Sequence, residues 1–250
     1  MPAIVARRTT LIAAASAVLA GCAGNKPVVL DRQAMVAVQR IGLPAVRVPH
    51  SPDVRVVNGL STRMAGFGLI GAIGSVSGSV VRGNRSDSLV RMMAARRFDP
   101  GPALTTMLAA ALAAKGFTVV PVAADPKRRF LPTVATAPEY DAVLDCYVST
   151  YGFTALDDSD DSPFRATVAV PARLIGAGGA VLMQDTAVVS GGATPADTPP
   201  GSAASAVAPG ATAPGTFRSF SDAEKDQAVA IDALRAAFET AAAGVVRRIS

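Results

Sequence analysis

Asp99-Pro100-Gly101-Pro102-Ala103-Leu104-Thr105-Thr106-Met107-Leu108-Ala109-Ala110-Ala111-Leu112-Ala113-Ala114-Lys115-Gly116-Phe117-Thr118-Val119-Val120-Pro121-Val122 is the stretch whose reading decides the fold. Asp99 suits a helix N-cap and Pro100 the first helical position. Leu104, Met107, Leu108, Ala111 and Leu112 recur at helical spacing. Lys115 complements the C-terminal end of the helix dipole, and Gly116 closes the helix. Phe117 to Val122 then reads as a strand. A capped helix passing through glycine and an aromatic into a strand is the signature of a helix laid on a sheet.

Toward the C-terminus, Ala123 to Glu139 is a loop with Pro126, Pro132 and Pro138 and a basic centre, Lys127-Arg128-Arg129. Tyr140 to Leu156 reads as a long strand, Phe164 to Gly176 as a second and Ala180 to Ser190 as a third. An acidic turn, Asp157-Asp158-Ser159-Asp160-Asp161-Ser162-Pro163, separates the first two, and Gly176-Ala177-Gly178-Gly179 makes a hairpin between the others. Together they form an antiparallel meander. Residues 191–216 are Ala, Gly, Pro, Ser and Thr with one charge, Asp197, a composition expected to be disordered. Ser221 and Glu224 form a capping box for a helix from Asp222 to about Arg248. Its apolar stripe is Val229, Leu234, Ala237, Phe238, Ala241 and Val245.

Toward the N-terminus, Ser86 or Asp87 caps a helix through Arg97. Met35–Val38, Ala45–Val48 and Asp53–Val57 are short strand candidates, separated by Pro44, Pro49 and Pro52. Residues 64–81 carry no charge and are punctuated by Gly66, Gly68, Gly71, Gly74 and Gly78. Three readings stay open: a small-residue helix face for close packing, a membrane-inserting segment, and a glycine-rich loop over the domain. Gly66-Phe67-Gly68-Leu69-Ile70-Gly71 spells GxGxxG, but a dinucleotide site needs a strand directly before it, and the nearest strand ends near Val57.

These elements predict an α+β domain: an antiparallel sheet with helices packed on one face. The expected organisation is residues 1–21 a signal peptide, 22–30 a lipid-proximal linker and 31–190 the domain with its glycine-rich segment 64–81. Residues 191–216 form the disordered insert, and 217–250 a C-terminal helix packing on the domain.

Arg7 and Arg8 precede the apolar run Leu11–Leu19, which is too short to span a bilayer. Leu19-Ala20-Gly21-Cys22 follows and resembles the lipobox of bacterial lipoproteins. The resemblance implies a diacylglyceryl group on the Cys22 thiol, cleavage before Cys22 and acylation of the new amino terminus. Two or more acyl chains anchor stably where one does not. Ala23 rather than Asp after the cysteine implies the periplasmic face of the outer membrane. An ordinary cleaved signal with a chance cysteine is the plain alternative. Arg7-Arg8 also invites a twin-arginine reading, against which Thr10 stands where a bulky apolar residue is usual.

The chain has formal charge +5, and losing Arg7 and Arg8 with the signal leaves +3. The basic pairs Arg96-Arg97 and Arg247-Arg248 and the run Lys127–Arg129 are dispersed without interleaved aromatics, so no nucleic-acid surface is expected. With Cys22 acylated, Cys146 has no disulfide partner and reads as a buried small hydrophobe. The one histidine, His50, sits in the Pro-rich turn Pro49-His50-Ser51-Pro52, away from any nucleophile. No catalytic set, cofactor site or zinc site is expected. Asp157, Asp158, Asp160 and Asp161 offer oxygen ligands for Ca²⁺, but Pro163 stands where an EF-hand loop needs glycine. Asp145, Tyr151 and Arg173 are polar side chains inside expected strands that a cleft would have to gather.

Leu104–Val122, Asp141–Tyr151, Thr167–Val189 and Ser221–Ile249 follow an order similar to the small periplasmic α/β lipoproteins of the YajG and transport-auxiliary types. That resemblance implies a non-enzymatic role in envelope assembly, transport or maintenance, exercised through a protein partner. The competing expectation is a lipoprotein that oligomerises and inserts residues 64–81 into the membrane as part of a pore or export channel.

Overall fold

Strand β6 (Phe164–Gly176) is where the sheet is assembled. The computed structural model describes residues 27–56, 71–123, 129–131, 137–155, 163–190 and 216–249, with the backbone alone for 71–81. Along one edge of β6 lie β4 (Ala142–Cys146) and β5 (Thr150–Ala155), end to end and antiparallel to it. Along its other edge lie β7 (Val181–Ser190) and β8 (Thr216–Phe217), also antiparallel. Next to β4 and β5 run β1 (Arg40–Pro44) and β2 (Asp53–Val56), each parallel to its neighbour. Outermost, β3 (Thr118–Val122) is parallel to β1.

The sheet of this α+β domain is therefore mixed, a correction to the expected antiparallel one. The physical reason is the excursion between β1 and β3. It contains two full helices, and a connection of that length returns a strand to its neighbour in the parallel sense. The meander of β4/β5, β6 and β7 is antiparallel as expected.

The helices are α1 (Arg32–Met35), α2 (Gly71–Ala95), α3 (Pro100–Ala114), α4 (Phe220–Lys225) and α5 (Gln227–Arg247). Helix α5 packs on β6 and β7, α3 on β1 and β3, and the two helices on each other. Leu104, Leu108 and Leu112 of α3 meet Ile231, Leu234 and Phe238 of α5 over Leu144, Phe153 and Leu174 of the sheet, all fully buried. Burial of each such side chain stabilises the fold by about 1.5–3 kcal/mol. The Phe238 ring lies 5.8 Å from both Phe98 and Tyr151.

The deciding stretch folds as read. The Asp99 carboxylate accepts the Gly101 N–H, Pro100 opens α3, and Gly116 ends it at φ +88°. Elsewhere local chemistry overrides the apolar pattern. Met35 ends a helical turn capped by Asp31, whose carboxylate accepts from the Gln33 and Ala34 amides. The strand expected at 35–38 is instead Arg40–Pro44, and of 45–48 only Arg47 bridges to the sheet, at Tyr147. The long strand expected over 140–156 is two. Gly152 follows the break at φ +143°, where a Cβ would sit 2.1 Å from the Asp53 carbonyl oxygen.

The helix expected from Ser86 begins at Gly71, so the second part of the uncharged run is helical, while residues 64–70 lie outside the described residues. Among the described residues no helix is long and apolar enough to cross a membrane. The C-terminal helix is broken at Asp226, which caps α5. Ser219, not Ser221, caps α4 by accepting the Asp222 N–H, and Glu224 instead accepts from Ser88 of α2 at 2.5 Å. Val28, placed in the linker by composition, is hydrogen-bonded to Gln184 of β7. Residues 1–21, Cys22, Asp157–Asp161 and 191–215 lie outside the described residues.

Ser190 pairs with Thr167 and Thr216 with Arg165, so β7 and β8 form one strand column interrupted by 191–215. Thr216, assigned by composition to the insert, belongs to that column. Joining Gly191 directly to Thr216 places one residue opposite Ala166 and keeps the register. Excision of residues 192–215 is expected to leave urea-unfolding stability unchanged or raised, because a shorter loop costs less to close, by about 0.6 kcal/mol per halving of its length. Loss of the cooperative transition would contradict the continuous column.

Candidate functional site

Three charged side chains stand alone in apolar strand sequence: Arg47 in Ala45–Val48, Asp145 in Val143–Val148 and Arg173 in Val168–Ile175. Burying one without a partner costs several kcal/mol, so the fold has to pair them. Register does it. Asp145 of β4 lies directly opposite Arg173 of β6, and Arg47 bridges next to β4 at Tyr147.

Asp145 has no solvent exposure. Its Oδ1 accepts from Arg47 Nη2 at 2.5 Å, and its Oδ2 from Arg173 Nη2 at 3.1 Å and Nε at 3.3 Å. The Leu131 amide also donates to Oδ2, at 2.8 Å, while Arg173 Nη2 donates to the Leu131 carbonyl. The Arg173 guanidinium covers the Phe130 ring, with Cζ 4.7 Å from its centroid, and that ring meets Tyr147 edge-on at 5.1 Å. Arg47 Nη2 reaches the Cys146 carbonyl at 3.3 Å, leaving its buried Nε and Nη1 with no hydrogen-bond partner. The cluster clamps Phe130 and Leu131 to the sheet face opposite α3 and α5. Each oxygen of the one carboxylate is already engaged by a cation, which suits a structural fastening better than proton transfer.

Of the residues singled out in the sequence, Asp145 and Arg173 come together and Tyr151 does not. Tyr151 faces the helices, and its hydroxyl donates to the Pro49 carbonyl at 3.4 Å. Burial, aided by the Asp99 charge, pushes its pKa up to about 12. Cys146 is buried among core residues of the helix-covered face. Burial, then the neighbouring Asp145 charge, raises its thiol far above the usual range, which disfavours the nucleophilic thiolate. His50 is exposed in its turn. β2 ends at Val56 and α2 begins at Gly71, so no strand closes directly onto the GxGxxG run. Among the described residues no three His, Cys, Asp or Glu side chains gather as metal ligands. Arg47 is the member that sequence reasoning missed; its signal was a single charge in an otherwise apolar run.

A second carboxylate ties β1 to β4. Asp141 accepts from the Arg40 side chain at 2.8 Å and from the Arg40 and Gln39 amides at 2.8 and 3.0 Å. The Arg40 side-chain bond first, then those amides, lower its pKa from 3.8 to about 2. Compared with known proteins, the chain matches no family model, no curated protein and no solved structure.

Replacing Asp145 with Asn removes the charge that balances two arginines, and an expected loss of about 3–5 kcal/mol is read by urea unfolding. The triple change Arg47→Met, Asp145→Leu, Arg173→Met is expected to recover most of it, since no unpaired charge then remains. Asp141 contributes in a different way. A lowered carboxyl pKa contributes stability that is present above the unfolded value and lost as pH falls from about 4 to about 2. Asp141→Asn is expected to flatten the stability profile in that window and to leave its shape near neutral pH unchanged.

Proposed function

We propose that the chain is a non-catalytic lipoprotein, anchored through Cys22 to the periplasmic face of the outer membrane, whose α+β domain binds an envelope partner in assembly, transport or maintenance. The observation that carries the reading is the order of Arg7-Arg8, Leu11–Leu19 and Leu19-Ala20-Gly21-Cys22, with paired backbone beginning at Val28. An extended chain covers at most about 3.6 Å per residue, so a lipid on Cys22 holds the domain within about 20 Å of the bilayer surface. The chemistry of the domain supports a binding role. Its buried carboxylate is engaged in a clamp, its buried thiol is held protonated, and its histidine stands exposed in a turn.

Cys22→Ser is expected to release the protein from the membrane fraction or to stall it as an uncleaved precursor, read by fractionation and by gel mobility. Unchanged processing and fractionation would defeat the anchor. For the partner, purification of the lipidated protein from detergent-solubilised envelopes is expected to bring down a stoichiometric second chain, and a lone monomer counts against it.

A further inference from the structure

The strands give the domain two distinct ends. β2 finishes at Val56 beside Ala155, the last residue of β5. At that same end β6 begins at Phe164, β7 finishes at Ser190 opposite Thr167, and β8 starts at Thr216 opposite Arg165. The connections 57–70, 156–163 and 191–215 therefore all leave from it. The Arg85 guanidinium of α2 lies over the Phe164 ring at 5.3 Å, so α2 also reaches this end. The opposite end carries the Ala177–Gly179 turn and the Arg40–Asp141 pair. With thirteen residues in β6, the ends are separated by about 40 Å.

The N-terminal segment has a direction. Val28 and Gln184 exchange both backbone hydrogen bonds, at 2.8 and 3.1 Å, and the Asp31 amide donates to the Leu182 carbonyl at 3.1 Å. The segment thus runs antiparallel to β7, and from Val28 back toward Cys22 the chain heads toward Ser190. Six residues separate Cys22 from Val28 and six separate Gln184 from Ser190, about 20 Å in each case. The connections at that end differ in charge. Residues 64–70 carry none and 191–215 carry only Asp197, whereas Asp157, Asp158, Asp160 and Asp161 lie in the third.

We infer that the sheet end at Val56, Ala155, Phe164 and Ser190 faces the lipid bilayer in the anchored protein, with the Ala177–Gly179 turn pointing away. The inference rests on Cys22 being the anchor. The four aspartates favour a zwitterionic lipid surface over an anionic one.

The test uses the lipidated full chain in phosphatidylcholine vesicles containing spin-labelled headgroups, with a fluorophore on a single introduced cysteine. Ser190→Cys and Thr216→Cys report on one end and Ala177→Cys on the other. Cys146, buried and protonated, does not compete for the label. Labels at 190 and 216 are expected to be quenched at least threefold more than the label at 177. Equal or reversed quenching in protein that floats with the vesicles overturns the orientation alone. Protein that fails to float overturns the anchor and the orientation with it. Two reporters at one end keep the result readable if one variant misfolds.

Discussion

Strand β6 is the constraint on which the remaining structure depends. It pairs along both edges over its whole length, with β4 and β5 on one side and β7 and β8 on the other. A strand paired on both edges has to be apolar on its core face. Phe164, Ala166, Val168, Val170, Ala172 and Leu174 are all buried there. Its other face carries Arg173, which can lie in the sheet only because Asp145 stands opposite. Register, pairing and charge compensation are therefore one requirement. A slip of one residue would turn Arg173 into the helix-covered core and Leu174 out of it.

The helices follow from the same constraint. β6 and β7 present an apolar face that α5 covers with Ile231, Leu234 and Phe238, and α3 extends the cover over β1 and β3. On the opposite face the cover is a loop, fastened by Asp145 and Arg173 through the backbone of Leu131. A helix hides its backbone polar groups internally, whereas a loop over a sheet needs partners for them. Asp145 and Arg173 supply those partners to Leu131, which gives a physical reason for charges inside strands.

Legibility in the sequence tracked how local each determinant is. The Asp99 cap, Pro100 and Gly116 act within a few residues, and α3 and β3 emerge where their pattern places them. The bounds of β6 were equally plain, because its ends are marked by Pro163 and the glycine hairpin. The parallel pairing of β1 with β3 was hidden because it depends on which strands meet across an excursion of two helices. At residues 32–38 a single carboxylate, Asp31, outweighed an apolar run. Asp145 and Arg173 were each visible as polar residues in strands. That they meet, and that Arg47 joins them while Tyr151 does not, is decided by the register of three strand columns, beyond the reach of any single segment.

Function in this account lies less in a reactive centre than in where the domain is held. The tether preceding Val28 is short, the segment it joins is paired to β7, and the sheet has a defined near end and far end. The claim beneath all of this is that Cys22 carries lipid. Mass spectrometry of the amino-terminal peptide of the membrane-purified protein tests it most directly. The account predicts a peptide beginning at Cys22 with a diacylglyceryl thioether and an acylated amino group. A peptide containing residues upstream of Cys22, or a free thiol at Cys22, would contradict it.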